Sequence, residues 1–230
     1  MLLLFDVDGT LLSGAADAHR DALYAGLREV HGVEASRAGS SLDPAGRTDG
    51  EIARILLLGA GVSAQRIDEL AARVREEACN AYAGLCPPDL SDRVVPGIPE
   101  LLGWLSERDG VRLGLVTGNY EPIARLKLAR AGIGAVFAPG LGGFGSDSED
   151  RAVLPTLARR RAGTRGAPHP RDRTLVIGDT PRDIACARAD GVRCVAVSTG
   201  PYGRAELIGA DAVADDAPEL RSQLERLLAL

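Results

Sequence analysis

Apolar residues fall into two rhythms along this chain. Short unbroken runs suit strands buried on both faces, and longer stretches with apolar residues three and four apart suit helices with one buried side. The short runs predict strands at Leu2–Phe5, Arg112–Val116, Thr174–Ile177 and Cys194–Val197, with a weaker one at Ala212–Val213 and an extended piece around Val136–Leu141. Helical spacing covers Ile98–Arg108, Pro122–Ala131, Ala152–Arg161, Pro181–Asp190 and Glu219–Leu228. Pro122 and Pro181 fit first helical turns, where a missing N–H costs nothing. Strands and helices alternating in this way argue for parallel βαβ units.

The alternation is suspended between residues 15 and 93. Ala18–Val30, Asp49–Leu58 and Ala64–Ala83 read as helices, with no strand among them. The expected architecture is therefore an α/β core built from residues 1–14 and 94–230, with a smaller all-helical cap domain, residues 15–93, inserted after the first strand. Connectors at Ser13–Ala16 and Leu85–Pro96 would be its hinges.

Composition narrows the function more by exclusion than by suggestion. A net charge of −5 argues against nucleic acid and anionic membrane partners. No apolar run nears the ~18 residues of a membrane span, and "MLLLF" reaches Asp6 too soon for a signal peptide. The four cysteines show no metal spacing, so reduced thiols in a cytoplasmic protein are expected. Arg159–Arg161 reads as a solvated helix face, and none of the three scattered histidines is marked out for catalysis. Lys127 is the only lysine among 27 basic residues.

Candidate chemistry gathers at strand ends, where ligands bind in open parallel sheets. Asp6 and Asp8 follow the first strand, Thr117 ends the second in "LVTGN", and Asp179 and Asp183 follow a later one in "VIGDTPRD". Two crowded carboxylates repel unless a positive charge sits between them. Carboxylates from two strand ends would make an oxygen-rich site suited to Mg2+ and a substrate phosphate.

"DVDGT" resembles the first motif of the haloacid dehalogenase superfamily, "LVTGN" its second and "GDTPRD" its fourth, in the right order along nearly the whole chain. The helical insert is similar to the mobile cap of a subgroup that includes phosphoglycolate-phosphatase-like enzymes. The resemblance implies a Rossmann-like core. It also implies that Asp6 is the nucleophile, forming an aspartyl-phosphate, and that Asp8 is the acid and then the base. Thr117, Gly118 and Asn119 would contact the phosphoryl oxygens. Mg2+ would be held by Asp6, the Asp8 carbonyl and Asp179, with Asp183 orienting the site directly or through water. The family's third motif usually carries a lysine. Here "GGFGSDSEDRAVLP" places Arg151 at that point, and Lys127 is its rival for the phosphate. "GGFGSD" itself reads as a flexible turn. In the cap, "AGRTDGEI" offers Arg47 and Thr48 as substrate contacts, with a helix N-cap at Thr48 as the coexisting reading.

The expected function is a Mg2+-dependent phosphatase for a small phosphorylated metabolite, phosphoglycolate-like or a sugar phosphate, acting as a monomer or weak homodimer. Alternatives are a β-phosphoglucomutase-like isomerase and a catalytically silent regulatory module. Dehalogenase chemistry is disfavoured by Asp8, since those enzymes lack this second aspartate.

Overall fold

The computed structural model describes residues 1–35 and 42–228. Six parallel strands, β1 (Leu2–Phe5), β2 (Arg112–Thr117), β3 (Gly142–Phe144), β4 (Thr174–Gly178), β5 (Arg193–Val197) and β6 (Ala212–Ala214), form one sheet in the order β3-β2-β1-β4-β5-β6. Helices α1 (Asp17–His31), α2 (Asp49–Gly59) and α3 (Ala64–Leu85) lie between β1 and β2, and α4 (Ile98–Ser106) leads into β2. The remainder are α5 (Glu121–Arg130), α6 (Leu154–Ala162), α7 (Pro181–Asp190) and α8 (Ala217–Leu228).

Alternation along β1 sets the layers. Leu3 and Phe5 point into one core with Leu101, Leu105, Leu128 and Leu224 from α4, α5 and α8. Leu2 and Leu4 point into the other with Leu154, Ala158 and Ile184 from α6 and α7. With both faces covered, the strands need the continuous apolar runs seen in the sequence. The chain builds outward from β1 through β2 and β3, then returns to β1 and builds the other way through β4. That reversal leaves a crevice beyond the carboxyl ends of β1, β2 and β4.

The all-helical cap follows β1, as the spacing implies. The chain leaves and re-enters the core side by side, with Leu12 bridging Val94 and the Ser13 N–H donating to the Arg93 carbonyl at 2.8 Å. No described helix is long and apolar enough to cross a membrane.

Two expectations need correction. The third core strand is not at Val136–Leu141, where Gly134–Val136 forms a 3-10 turn, but at Gly142–Phe144, inside the stretch read as a flexible turn. Glycine suits it because a Cβ on Gly143 would overlap the Leu154 carbonyl, so the backbone of α6 packs directly on this strand. The Arg159–Arg161 run is also not uniformly solvated. Arg159 is buried and grips Asp190 with Nε at 2.6 Å and Nη2 at 2.9 Å, a charge pair uniting α6 and α7.

Candidate active site

Strand β1 ends by delivering Asp6, which is buried, to the bottom of the crevice. Its Oδ1 accepts the Val7 N–H at 2.8 Å, and Arg151 stands 3.0 Å from Oδ2. The same guanidinium grips Oδ1 of Asp183. Arg151 thereby tethers the Asp6 carboxylate to α7. Its Nε is buried without a partner among the described residues, leaving one N–H available to a ligand.

Both oxygens of Asp183 accept hydrogen bonds. Its Oδ2 accepts the Thr180 N–H at 3.0 Å and the Thr180 hydroxyl at 2.7 Å, and Thr180 in turn caps α7. Asp183 thus caps α7 and holds the Arg151 guanidinium. Asp179 is different. Among the described residues only the Thr10 hydroxyl, at 3.0 Å, bonds to its carboxylate, while the backbones of Gly9 and Gly200 press so close to Oδ2 that a Cβ on either would overlap it.

Electrostatics then poses the problem that a cation would solve. Ligand oxygens of Asp6, Asp179 and Asp183 lie within 4.8 Å of one another, all buried. Burial, with Asp6 and Asp183 adding repulsion, pushes Asp179 up to about 8. Burial also raises Asp6 to about 6, against the opposing pull of Arg151. Three carboxylates against one guanidinium leave two negative charges, which one divalent cation cancels. The donors are all oxygen, the preference of a hard ion such as Mg2+. The residues present fit that ion.

Asp8 faces away from this cluster. Its carboxylate accepts Lys127 Nζ at 2.8 and 2.6 Å and the Asn119 amide at 3.0 Å. Burial alone would raise its pKa, but the Lys127 ammonium outweighs it and holds the group below the ordinary carboxylate range. Both rivals for the third-motif role thus reach the site, on different aspartates: Arg151 on Asp6 and Lys127 on Asp8.

The cap is seated on the core at the second motif. The Asp49 N–H donates to the Gly118 carbonyl at 2.8 Å, and the Thr48 hydroxyl to the Glu149 carbonyl at 2.7 Å. Thr48 is fully buried and caps α2 by accepting the Glu51 N–H at 3.1 Å. Its expected substrate contact gives way to the capping reading, because that hydroxyl is occupied in both directions. Arg47 does line the cleft, yet its guanidinium is held by Glu51 and by the Asp43 carbonyl at 3.0 Å. Gly118 serves as a close approach: a Cβ there would overlap the Arg47 carbonyl. Gly118→Ala should therefore keep the cap from seating and lower kcat/KM by roughly 10- to 100-fold in a folded protein. Steady-state kinetics beside circular dichroism check this.

Two residues of the site were not singled out by sequence. His19 lies between Lys127 and Asp49, with ring nitrogens 3.0 Å from each, and Asp49 also accepts the Tyr120 N–H at 2.7 Å. A signal for His19 existed: it stands four and eight residues before Leu23 and Leu27, on the buried stripe of α1. Between cap and core these groups border a cleft of about 610 Å3 that contains Asp6, Asp8, Thr117, Asn119, Arg151 and Asp179.

The family model described as haloacid dehalogenase-like hydrolase matches residues 3–188. A phosphoglycolate phosphatase of Rhodospirillum rubrum is 32% identical over 226 residues, covering 95% of this chain and 88% of the relative. One from Pseudomonas fluorescens is 30% identical, covering 95% and 75%. Among solved structures, a hydrolase from Pseudomonas syringae matches with a TM-score of 0.67 at 24% identity, over 97% of each chain. A β-phosphoglucomutase from Clostridium difficile matches with a TM-score of 0.70 at 18% identity, over 99% of this chain and 97% of the other. These two likenesses speak to the fold, and the fold, the motif order and the family model lead to one conclusion: the chain belongs to the haloacid dehalogenase-like hydrolases.

Proposed function

We propose that this hydrolase is a phosphatase for a small phosphomonoester of the phosphoglycolate or sugar-phosphate class, working through an aspartyl-phosphate on Asp6. The observation that carries the reading is the division of labour between the two N-terminal aspartates. Asp6 is held by Arg151 at the floor of the cleft, while Asp8, two residues on, is held separately by Lys127 and Asn119. The phosphoglycolate phosphatases among the relatives support the choice of reaction.

In the first half, an Asp6 oxygen attacks phosphorus as the ester P–O bond breaks, and the departing alkoxide takes a proton from Asp8. In the second, water attacks the aspartyl-phosphate, its proton returns to Asp8, and the P–O bond to Asp6 breaks to release inorganic phosphate. Asp8 is held as a carboxylate without substrate, which suits the second half; for the first it must take up a proton as substrate binds. Thr117, Asn119 and the free Nε–H of Arg151 are the donors placed for the phosphoryl oxygens. Mg2+ on Asp6 and Asp179, with the Asp8 carbonyl, would supply charge neutralisation between the attacking carboxylate and the phosphate. The cap, taken as residues 15–93, would exclude bulk water and carry specificity contacts.

A panel of phosphomonoesters assayed with and without Mg2+ tests the reading. Release of inorganic phosphate from at least one alkyl phosphate, dependent on Mg2+, is the expected result. Interconversion of sugar phosphates without net phosphate release would point to the isomerase instead.

A further inference from the structure

The mechanism above uses Asp8 but not the groups packed behind it. Lys127 sits in α5, and its side chain is wholly buried. A buried ammonium persists only where its donors are satisfied. This one has three N–H donors and three acceptors: Asp8 Oδ1 at 2.8 Å, Asp8 Oδ2 at 2.6 Å and His19 Nδ1 at 3.0 Å. No donor is left over for a phosphoryl oxygen. The contacts also assign the His19 tautomer, because Nδ1 accepts from Lys127 and so Nε2–H donates to Asp49 Oδ2 at 3.0 Å. Asp49 is in turn pinned to the core, since its N–H reaches the Gly118 carbonyl and its Oδ2 accepts the Tyr120 N–H.

We propose that Lys127 is a positioning residue for the acid/base: through a line of hydrogen bonds running Asp49–His19–Lys127–Asp8, it holds the Asp8 carboxylate where the leaving-group oxygen departs. The inference rests on the phosphatase reading. It sets aside Lys127 as a phosphate ligand and gives its position a specific purpose. The line crosses between cap and core, with Asp49 and His19 on cap helices and Lys127 and Asp8 on the core. With the Asn119 amide on Oδ2, Asp8 is held by donors from α5 and from the end of β2. A carboxylate two residues from the nucleophile could otherwise rotate toward the Asp6 cluster.

Leaving-group dependence tests this, because an alkoxide needs the proton from Asp8 and p-nitrophenolate does not. In the full-length protein with Mg2+, Lys127→Met should lower kcat/KM for benzyl phosphate by roughly 30- to 100-fold and for p-nitrophenyl phosphate by no more than about threefold. Inhibition by orthovanadate should stay within about twofold of wild type, since Lys127 does not touch the phosphoryl group. Equal losses on both esters, or weakened vanadate inhibition, would overturn the proposal. Because removing a buried cation can unfold a protein, His19→Ala is the second variant. It should give the same bias toward the aryl ester at roughly 5- to 10-fold, the size of a lost supporting contact, and an unchanged ester ratio in a folded His19→Ala protein also overturns the inference. Wild-type protein inactive on both esters would instead remove the phosphatase reading itself, and this inference with it.

Discussion

Asp6→Asn is expected to fold and to hydrolyse phosphate esters roughly 10^4-fold more slowly than wild type, or worse. The amide keeps an oxygen for the Val7 N–H at 2.8 Å, so the local backbone has no reason to move. It is a poor nucleophile, however, and no neighbouring carboxylate can take its place. Asp8 is bound by Lys127 and Asn119, Asp183 by Arg151 and Thr180, and Asp179 is walled in by Gly9 and Gly200. Initial rates on an alkyl phosphate, with circular dichroism as the folding control, provide the check. Activity within tenfold of wild type would show that some other group attacks phosphorus, and the mechanism would fail.

Asp179→Asn should separate stability from activity in the opposite direction. In the unfolded chain Asp6 and Asp179 titrate near the ordinary carboxylate value of 3.8, whereas the fold raises them to about 6 and about 8. A carboxyl raised on folding favours the native state fully when protonated in both states, below about pH 4, and the advantage is lost as pH climbs through 6 and 8. Metal-free protein should therefore lose thermal stability between pH 4 and 8 through these two groups. Mg2+ at pH 8 should restore part of it, because a hundredfold excess over Kd adds about 2.7 kcal/mol, or roughly 5–10 °C in Tm for a chain of this size. Asp179→Asn removes the most strongly raised carboxyl. The metal-free variant should melt above metal-free wild type at pH 8, gain little from Mg2+, and lose at least roughly 10^2-fold in activity. Scanning calorimetry with EDTA or Mg2+ at pH 5 and pH 8 measures all but the last. A variant that Mg2+ still stabilises as much as wild type would place the ion elsewhere.

Most strands were legible because both their faces are buried. Leu2–Phe5 and Leu175–Ile177 must be apolar at every position, and that leaves a run visible without context. Gly142–Phe144 carries no such mark. It is three residues long, and its Gly143 answers to the α6 backbone pressing on it, a constraint that exists only after folding. Arg159 shows the same limit from the polar side. Nothing in three consecutive arginines distinguishes the one that meets Asp190, because the partner lies on another helix, 31 residues away.

What the sequence by itself determined is the order of the elements, the insertion of a helical cap after β1, and the placing of Asp6, Asp8, Thr117 and Asp179 at strand ends, since local periodicity and short motifs encode all of these. Only the tertiary structure decided which side chain faces which. It put Arg151 on Asp6 and Lys127 on Asp8, drew His19 and Asp49 in behind them, and turned Thr48 from a substrate contact into a helix cap. The reason is that pairings among buried charges depend on through-space distance across elements far apart in the chain, and the energy of such a pairing has no counterpart in the spacing of residues along it.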